Sequence, residues 1–444
     1  MLLEGYGSPY WLEIERPNFP RLEGTRTADV AIVGAGIAGL KLAHHCASRG
    51  LTVAVCEGGR VGDGASGRNQ GTINHGPNMP YGACVRRHGR DTARDLWRLG
   101  LENHCRVREL IAEYDIRCGY ERLGEHFLAR RDHPACAEDL AQLREDFELL
   151  REDGFEVSWL DEALATEVGG SPLFVGGLRY GADAQFHPGK FVAGLANGVG
   201  RRAGVRLFEH SRVLGIRAAD GAVHVRTACG EVVARDVFLA LNALAPQFVR
   251  SLERSLRAER GQVLLTEPLP VRPCAGSFDT RMAWWRDVPE ADGRYRLLFG
   301  GGRAREAPDS LFPQYDRRGR PHPQLEREGF SPSRQHQERL ESQLSAIFPA
   351  FAKAAITHRW GGLQSFTADT LPVVGLFDPE RRIHGVAGFC GRGNCHSDVA
   401  AEYLVGKVIG TESPIERSYG SLLGQLMRVG RESAEWGPWV SAYD

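Results

Sequence analysis

No stretch of this chain stays apolar for long. The longest such run, Val30 to Leu40, contains three glycines and falls well short of the ~20 residues that a membrane-spanning helix needs. The lead-in, Met1 to Phe19, has acidic residues and no apolar centre of signal-peptide type, so no secretory leader is expected. Neither sign of charge is in excess. With 55 Lys and Arg against 56 Asp and Glu, the net charge of -1 argues against nucleic acid or an anionic membrane as partner. No C-x-x-C occurs among the ten scattered cysteines. That spacing points away from zinc and from a disulfide framework, towards reduced thiols, no metal and a cytoplasmic setting. No internal repeat is visible.

What is present is ordinary globular composition, 42% hydrophobic and 25% charged, over a length that suits two or three domains of about 150 residues. After a polar, proline-rich lead-in (1–27), Asp29 to Val33 reads as a buried strand. Gly34 to Gly39 is a turn, Leu40 to Arg49 a helix, and Leu51 to Val55 a second strand ending at Glu57. Residues 60–80 form a loop long enough to suggest a function. Apolar spacing predicts helices over Asp91 to Tyr114, Ala135 to Arg151, Phe191 to Arg202 and Gln335 to Ile347. Val205 to Glu209 and Val237 to Leu241 read as strands. Val213 to Arg217, Val223 to Arg226 and Glu231 to Ala234 read as a β-meander between them. Residues 281–302 alternate aromatic and polar around Asp292-Gly293, a hairpin pattern, and 303–335 read as a surface excursion. A last strand–turn–helix runs from Ile383 through Gly388–Gly393 into Ser397 to Ile409.

Gly34-Ala35-Gly36-Ile37-Ala38-Gly39 is G-x-G-x-x-G between strand and helix. The first glycine permits the turn, the second lets backbone approach a pyrophosphate, and the third lets helix and strand pack closely. Ile37 and Ala38 open a helix whose positive end faces the phosphates. Glu57, about 20 residues on, can accept hydrogen bonds from ribose hydroxyls. The loop that follows, from Arg60 through Ala65, Ser66, Arg68, Asn69, Gln70 and Gly71, does not start another helix at once. It suits FAD better than NAD, because a loop of this kind can run along the pyrophosphate to the isoalloxazine. Ser66 offers a hydroxyl to phosphate and Arg68 a charge-assisted contact.

These segments resemble the FAD-dependent oxidoreductases of the D-amino-acid oxidase and glycine oxidase type, most closely the gamma-glutamylputrescine oxidase-like branch. The likeness continues through Gln185-Phe186-His187-Pro188, Ala240-Leu241-Asn242-Ala243, Leu297 to Gly302, Trp360-Gly361-Gly362, Pro372 to Gly375 and Gly388 to Asn394. It implies an α/β fold with a Rossmann-like FAD domain (1–84, 183–262 and 356–444). An α+β substrate domain on a mainly antiparallel sheet would take 85–182 and 263–355. It further implies that Val213 clasps the adenine region and that Gly391, Arg392, Gly393 and Asn394 sit beside the flavin pyrimidine. The expected reaction takes a hydride equivalent from the α-carbon of a neutral amine to flavin N5, and the imine then hydrolyses. The protein supplies orientation and electrostatics, and no dedicated base is assigned.

Departures from the family pattern narrow the substrate. Members that oxidise amino acids carry an Arg shortly after the Trp-x-Gly, paired with the substrate carboxylate; here Gln364 holds that place. A neutral amide cannot replace a buried guanidinium, so the expected substrate is a small amine whose carboxylate, if any, is remote. Arg392 is a second candidate for a carboxylate. Only one of Trp284 and Trp285 can line the pocket, because neighbours on a strand point to opposite faces. His126 is a weaker pocket candidate. Oxygen is the expected acceptor, but no Lys occurs in Leu297 to Gly302, where the sarcosine oxidase branch uses one for oxygen, so a quinone or other carrier is the alternative. A flavin monooxygenase and an inactive flavin-binding subunit are the other readings. No Cys lies in Gly362 to Phe366, where that branch tethers flavin, so the FAD is expected to be non-covalent. His75, Cys390 and Cys395 are the misplaced alternatives for a tether.

Overall fold

The computed structural model describes residues 7–280, 283–301, 311–312, 325 and 329–430. Gly302 and most of the predicted 303–335 excursion lie outside the described residues. Short β-branched runs build a first sheet, in the order Val373–Asp378, Ile383–Ala387, Gly230–Leu239, Gly24–Val33, Val53–Cys56 and Val205–Phe208. The last five strands are parallel, and Val373–Asp378 is an antiparallel edge. A parallel sheet must be covered on both faces. The helices Ile37–Ala47, Pro188–Gly200 and Gly393–Ile409 cover one face. The hairpin Gly215–Ala219/Ala222–Arg226 and the turns around Ala245 to Leu252 cover the other. This is the Rossmann-like half.

The predicted meander needs correction. Glu231 to Ala234 and Val237 to Leu241 are one continuous strand, Gly230–Leu239. It leaves the hairpin and runs on through the sheet, and its last four residues are all buried. The charged Arg235-Asp236 pair falls where the partner on one side changes from Ala222–Arg226 to Ile383–Ala387, which breaks the alternation without breaking the strand. The helix predicted from Leu40 starts at Ile37, inside the glycine motif. The one predicted from Phe191 starts at Pro188, where proline needs no N–H partner and the His187 ring accepts the Lys190 amide at 3.2 Å. Tyr81–His88, Glu162–Gly169 and Pro414–Leu426 are further helices, the first two only eight residues long and so too short to show clear periodicity.

The second sheet runs Arg257–Thr266, Tyr295–Gly301, Ala283–Pro289, Ser277–Asp279, Glu125–Arg130, Phe174–Tyr180 and Val157–Leu160, with Ile356–Phe366 on the far side of Arg257–Thr266. Its pairs are antiparallel apart from Ser277–Asp279 with Glu125–Arg130. Ala283–Pro289 and Tyr295–Gly301 form the hairpin expected at 281–302. Strand Arg257–Thr266 crosses the expected boundary at 262, and Ile356–Phe366, expected in the FAD domain, pairs with it in this sheet.

Register decides what each face carries. Trp284 sits opposite Gly300, and the same ladder runs on to Val263 and Trp360. One residue along, Trp285 sits opposite Phe278 and Phe299, and Phe278 sits opposite His126. The Trp285 face forms an aromatic core closed by Leu340, Leu344 and Phe348, mostly from the Arg334–Ile347 helix. The Trp284 face looks towards the first sheet.

Candidate active site

Between the two sheets lies a cavity of about 970 Å³. At the first-sheet end its wall is main chain. Gly34 has φ +102°, and a Cβ there would stand 2.9 Å from the Ala240 carbonyl oxygen. A Cβ on Gly36 would come within 2.8 Å of Ser66 Oγ, which accepts the Ile37 amide at 3.0 Å. A Cβ on Gly39 would overlap the Gly34 carbonyl, so the helix can lie against the turn only without one. The Glu57 carboxylate accepts the Ala35 and Gly59 amides, each at 2.9 Å. Burial pushes its pKa up, against the pull of those two amides. Val213 also lines this end.

The 60–80 loop is firmly held. Trp11 and Trp360 donate their indole N–H groups to the carbonyls of Asn69 and Arg68, both at 2.9 Å. Arg286, buried and pushed down to about 10 by desolvation, donates to the carbonyls of Gln70, Gly71 and Phe186 at 2.9–3.2 Å. Asn69 Oδ1 accepts from Asn394, which also donates to the Thr72 carbonyl at 2.9 Å, so this loop and the Gly391–Asn394 turn form one unit. The Gly393–Ile409 helix starts there, with its positive end towards the cavity lining.

The second-sheet end is walled by side chains and by absent ones. Gly261, Gly362 and Gln364 fall on the Trp284 face of the sheet, and the glycines leave room where side chains would project. The Trp284 ring lies over Gly300, where a Cβ would come within 2.2 Å of it. Gln364 Oε1, Gln70 Nε2 and Asn74 Nδ2 are buried with no hydrogen-bond partner among the described residues. All three belong to lining residues, so they are polar groups aimed at an occupant. Main-chain amides and a carboxylate at one end, glycine-floored space and orphaned amides at the other, would fit a long dinucleotide.

Several expected site residues stand elsewhere. Trp285 is fully buried in the aromatic core, stacked near Phe174 and Phe278, so Trp284 is the one that lines the cavity. His126 is on the same core side, stacked on Phe278 at 4.5 Å and pushed down to about 4 by desolvation. It is outside the lining; its neighbour Glu125 takes that place, because alternate strand residues face alternate ways. Arg68 lines the cavity, and its Nε and Nη1 donate to the carbonyls of Asp63, Gly7, Phe330 and Gly361, so it also ties segments together. Arg60 points to the carbonyls of Arg16 and Pro17, away from the lining. Gly39 and Gly71 shape the turns from behind. His75 is paired with Asp183, and Cys395 accepts the Asn74 amide; neither lines the cavity, whereas Cys390 does. Among the described residues no group of three or more acidic, His or Cys side chains could hold a metal, and no helix is long and apolar enough to cross a membrane.

Glu125, Asn74 and Arg286 escaped the sequence reading. Strict alternation over Glu125 to Arg130 is the signal that could have found Glu125.

Residues 29–406 match the family described as FAD dependent oxidoreductase, DAO. The chain belongs to that family. Its enzymes use FAD to oxidise the C–N groups of amines or amino acids, and so does this one. Relatives include the gamma-glutamylputrescine oxidoreductase of Escherichia coli, 31% identical over 88% of this chain and 84% of its own. The probable oxidoreductase OrdL of Haemophilus influenzae is 26% identical over 89% and 86%. Among solved structures, glycine oxidase from Geobacillus kaustophilus superposes with a TM-score of 0.70 at 22% identity, covering 87% of this chain and 96% of that one. L-amino acid deaminase from Proteus myxofaciens gives 0.72 at 18%, covering 98% and 99%. Both share the fold.

Proposed function

We propose that this family member oxidises a small amine whose carboxylate, if it has one, is remote from the reacting carbon, with oxygen as acceptor and FAD held non-covalently. The observation that carries this reading is Gln364. It sits on the cavity face of Ile356–Phe366 with a buried, unpartnered Oε1, where a substrate carboxylate would meet a neutral amide in place of a guanidinium. The same atom suits an amine N–H. The Escherichia coli relative, named for gamma-glutamylputrescine, supports an amine of that class.

Bound FAD supplies a two-electron acceptor. The chain's own residues do the rest. Gly261 and Gly362 leave space beneath the sheet, and Trp284, seated over Gly300, closes one wall against water. Gln364 and Asn74 offer hydrogen bonds that orient a neutral nitrogen. The start of the Gly393–Ile409 helix favours negative charge gathered beside it by ~0.3–1 kcal/mol or more. No side chain is assigned as a base.

An anaerobic screen reads the reaction as bleaching of the yellow protein. Primary and secondary amines are expected to bleach it faster than glycine, D-alanine or sarcosine, and air is expected to restore the colour with peroxide formed. Faster bleaching by the amino acids would overturn the amine reading. Return of colour only with a quinone would overturn oxygen.

A further inference from the structure

The polar lead-in does more than deliver the chain to its first strand. Ser8, Pro9, Leu12 and Arg16 line the cavity. Among the described residues the segment 8–16 joins neither sheet, and its regular structure is one short turn, Tyr10–Leu12. Side chains hold it down instead. Trp11 is 1% exposed, edge-on to the His187 ring at 4.8 Å, and packs with Val263, Leu298 and Trp360 of the second sheet. A Cβ on Gly189 would come within 1.8 Å of the Trp11 carbonyl oxygen, and one on Gly67 within 2.6 Å of Leu12, so two glycines make room for the turn. The Gly7 carbonyl accepts from Arg68 at 3.0 Å, and Arg16 donates to Asp63 at 2.6 Å.

Both halves of the molecule take part in these contacts. Tyr10 donates its hydroxyl to Glu290, at the turn of the second-sheet hairpin, at 3.1 Å, and Glu13 Oε1 stands 3.1 Å from His358 Nε2 on Ile356–Phe366. Towards the first sheet, the Phe19 amide donates to Glu209 at 3.1 Å. We propose that residues 8–16 form a strap over bound FAD, latched to the second sheet through Tyr10 and Trp11, and that the strap sets how fast flavin leaves. The proposal goes beyond the amine reading and does not depend on it. A dinucleotide filling the cavity would touch the strap as well as the glycine turn. Arg16 Nε is buried with no hydrogen-bond partner among the described residues, a donor that an anionic cofactor can take.

The build of the strap suits that role. A segment paired into a sheet opens only when the sheet does, whereas one held by side chains opens locally at lower cost. Burial of Trp11 keeps the strap down, and lifting it breaks no ladder of main-chain bonds. Closure over a bound ligand adds to the ligand's own contacts and is read as slower release. The latch at Tyr10 ties that closure to the second sheet, so a hydroxyl far from the glycine turn governs how long flavin stays.

Flavin release from the full-length, FAD-loaded protein tests the strap apart from turnover. It is followed as the rise of free-flavin fluorescence after dilution. Trp11→Ala is expected to release flavin roughly tenfold or more faster than the wild type, and Tyr10→Phe roughly twofold to fivefold faster. Leu344→Ala weakens the second-sheet core on the face away from the cavity and is the control for general loosening. Its folded molecules are expected to release flavin at the wild-type rate. A wild-type rate in either strap variant, or an equal rise in Leu344→Ala, overturns the proposal. Should Trp11→Ala fail to fold, Tyr10→Phe decides, because it removes one hydroxyl and leaves the packing in place. Gly36→Val separates the strap from the site beneath it. Full flavin in Gly36→Val would remove the dinucleotide site and the strap's role with it; a wild-type release rate in Trp11→Ala removes the strap alone.

Discussion

The two ends of the cavity are built by opposite means. At the first-sheet end the shape comes from atoms that are missing: Gly34, Gly36 and Gly39 each stand where a Cβ would strike a neighbour within 3 Å. The groups lining that end are mostly main chain and the helix start, and Glu57 is itself held by two amides. At the second-sheet end the lining is side chains on alternate strand positions, with Trp284, Gln364 and Glu125 brought to one face by pairing between distant segments. A backbone-built site tolerates almost no substitution. A side-chain-built site can be rewritten one residue at a time, which lets one fold serve many amines.

The largest expected effect comes from breaking the backbone-built end. Gly36→Val places a branched side chain against Ser66 Oγ and into the approach to the pyrophosphate, so the purified protein is expected to lose most of its flavin. Acid precipitation measures this. On the non-covalent reading the wild type is expected to release all its yellow colour into the supernatant, and the variant almost none. Full flavin in the variant would misplace the dinucleotide site, and colour left in the wild-type pellet would reveal a tether.

Next in size is a paired test of register. Trp285→Ala removes the centre of an aromatic core and is expected to cost about 3–5 kcal/mol in denaturant unfolding with little change in substrate preference among folded molecules. Trp284→Ala is expected to cost less than half as much, yet to raise KM for the amine. Swapped outcomes would invert the assignment of the two faces.

How much of this was legible in the sequence follows the same division. The dinucleotide end is written in contiguous residues whose steric reasons are local, so Gly34 to Glu57 could be read directly. The helices Asp91 to Tyr114 and Ala135 to Arg151 were equally plain, within one residue of Arg90–Glu113 and Cys136–Glu152. The second-sheet end depends on which face a strand turns inward. His126 was chosen where the register presents Glu125, and Trp284 could not be separated from Trp285. Arg68 looked like a phosphate ligand because its charge is visible in sequence, whereas the carbonyls that it also ties together come from segments as distant as Phe330 and Gly361.

The smallest expected effect lies in the helix layer outside both ends. Asp146, on Cys136–Glu152, is buried and pushed up from 3.8 to about 7, chiefly by desolvation. A carboxyl raised in the folded state contributes stability that is full below its ordinary value and lost as pH rises through about 7. Wild-type melting temperature is therefore expected to fall between about pH 5 and about pH 8. Asp146→Asn keeps an oxygen for the Gly82 amide, at 2.7 Å in the wild type, and is expected to shrink that fall. An unchanged fall would place the titration elsewhere.

The account's central claim is that residue 364 decides between an amine and an amino acid. Anaerobic bleaching by a primary amine and by glycine, measured side by side in wild type and Gln364→Arg with flavin content matched, tests it most directly. The account predicts that the wild type favours the amine and that the new guanidinium shifts the ratio towards glycine by roughly tenfold or more. A wild type that favours glycine, or a ratio that Gln364→Arg leaves unmoved, would contradict it.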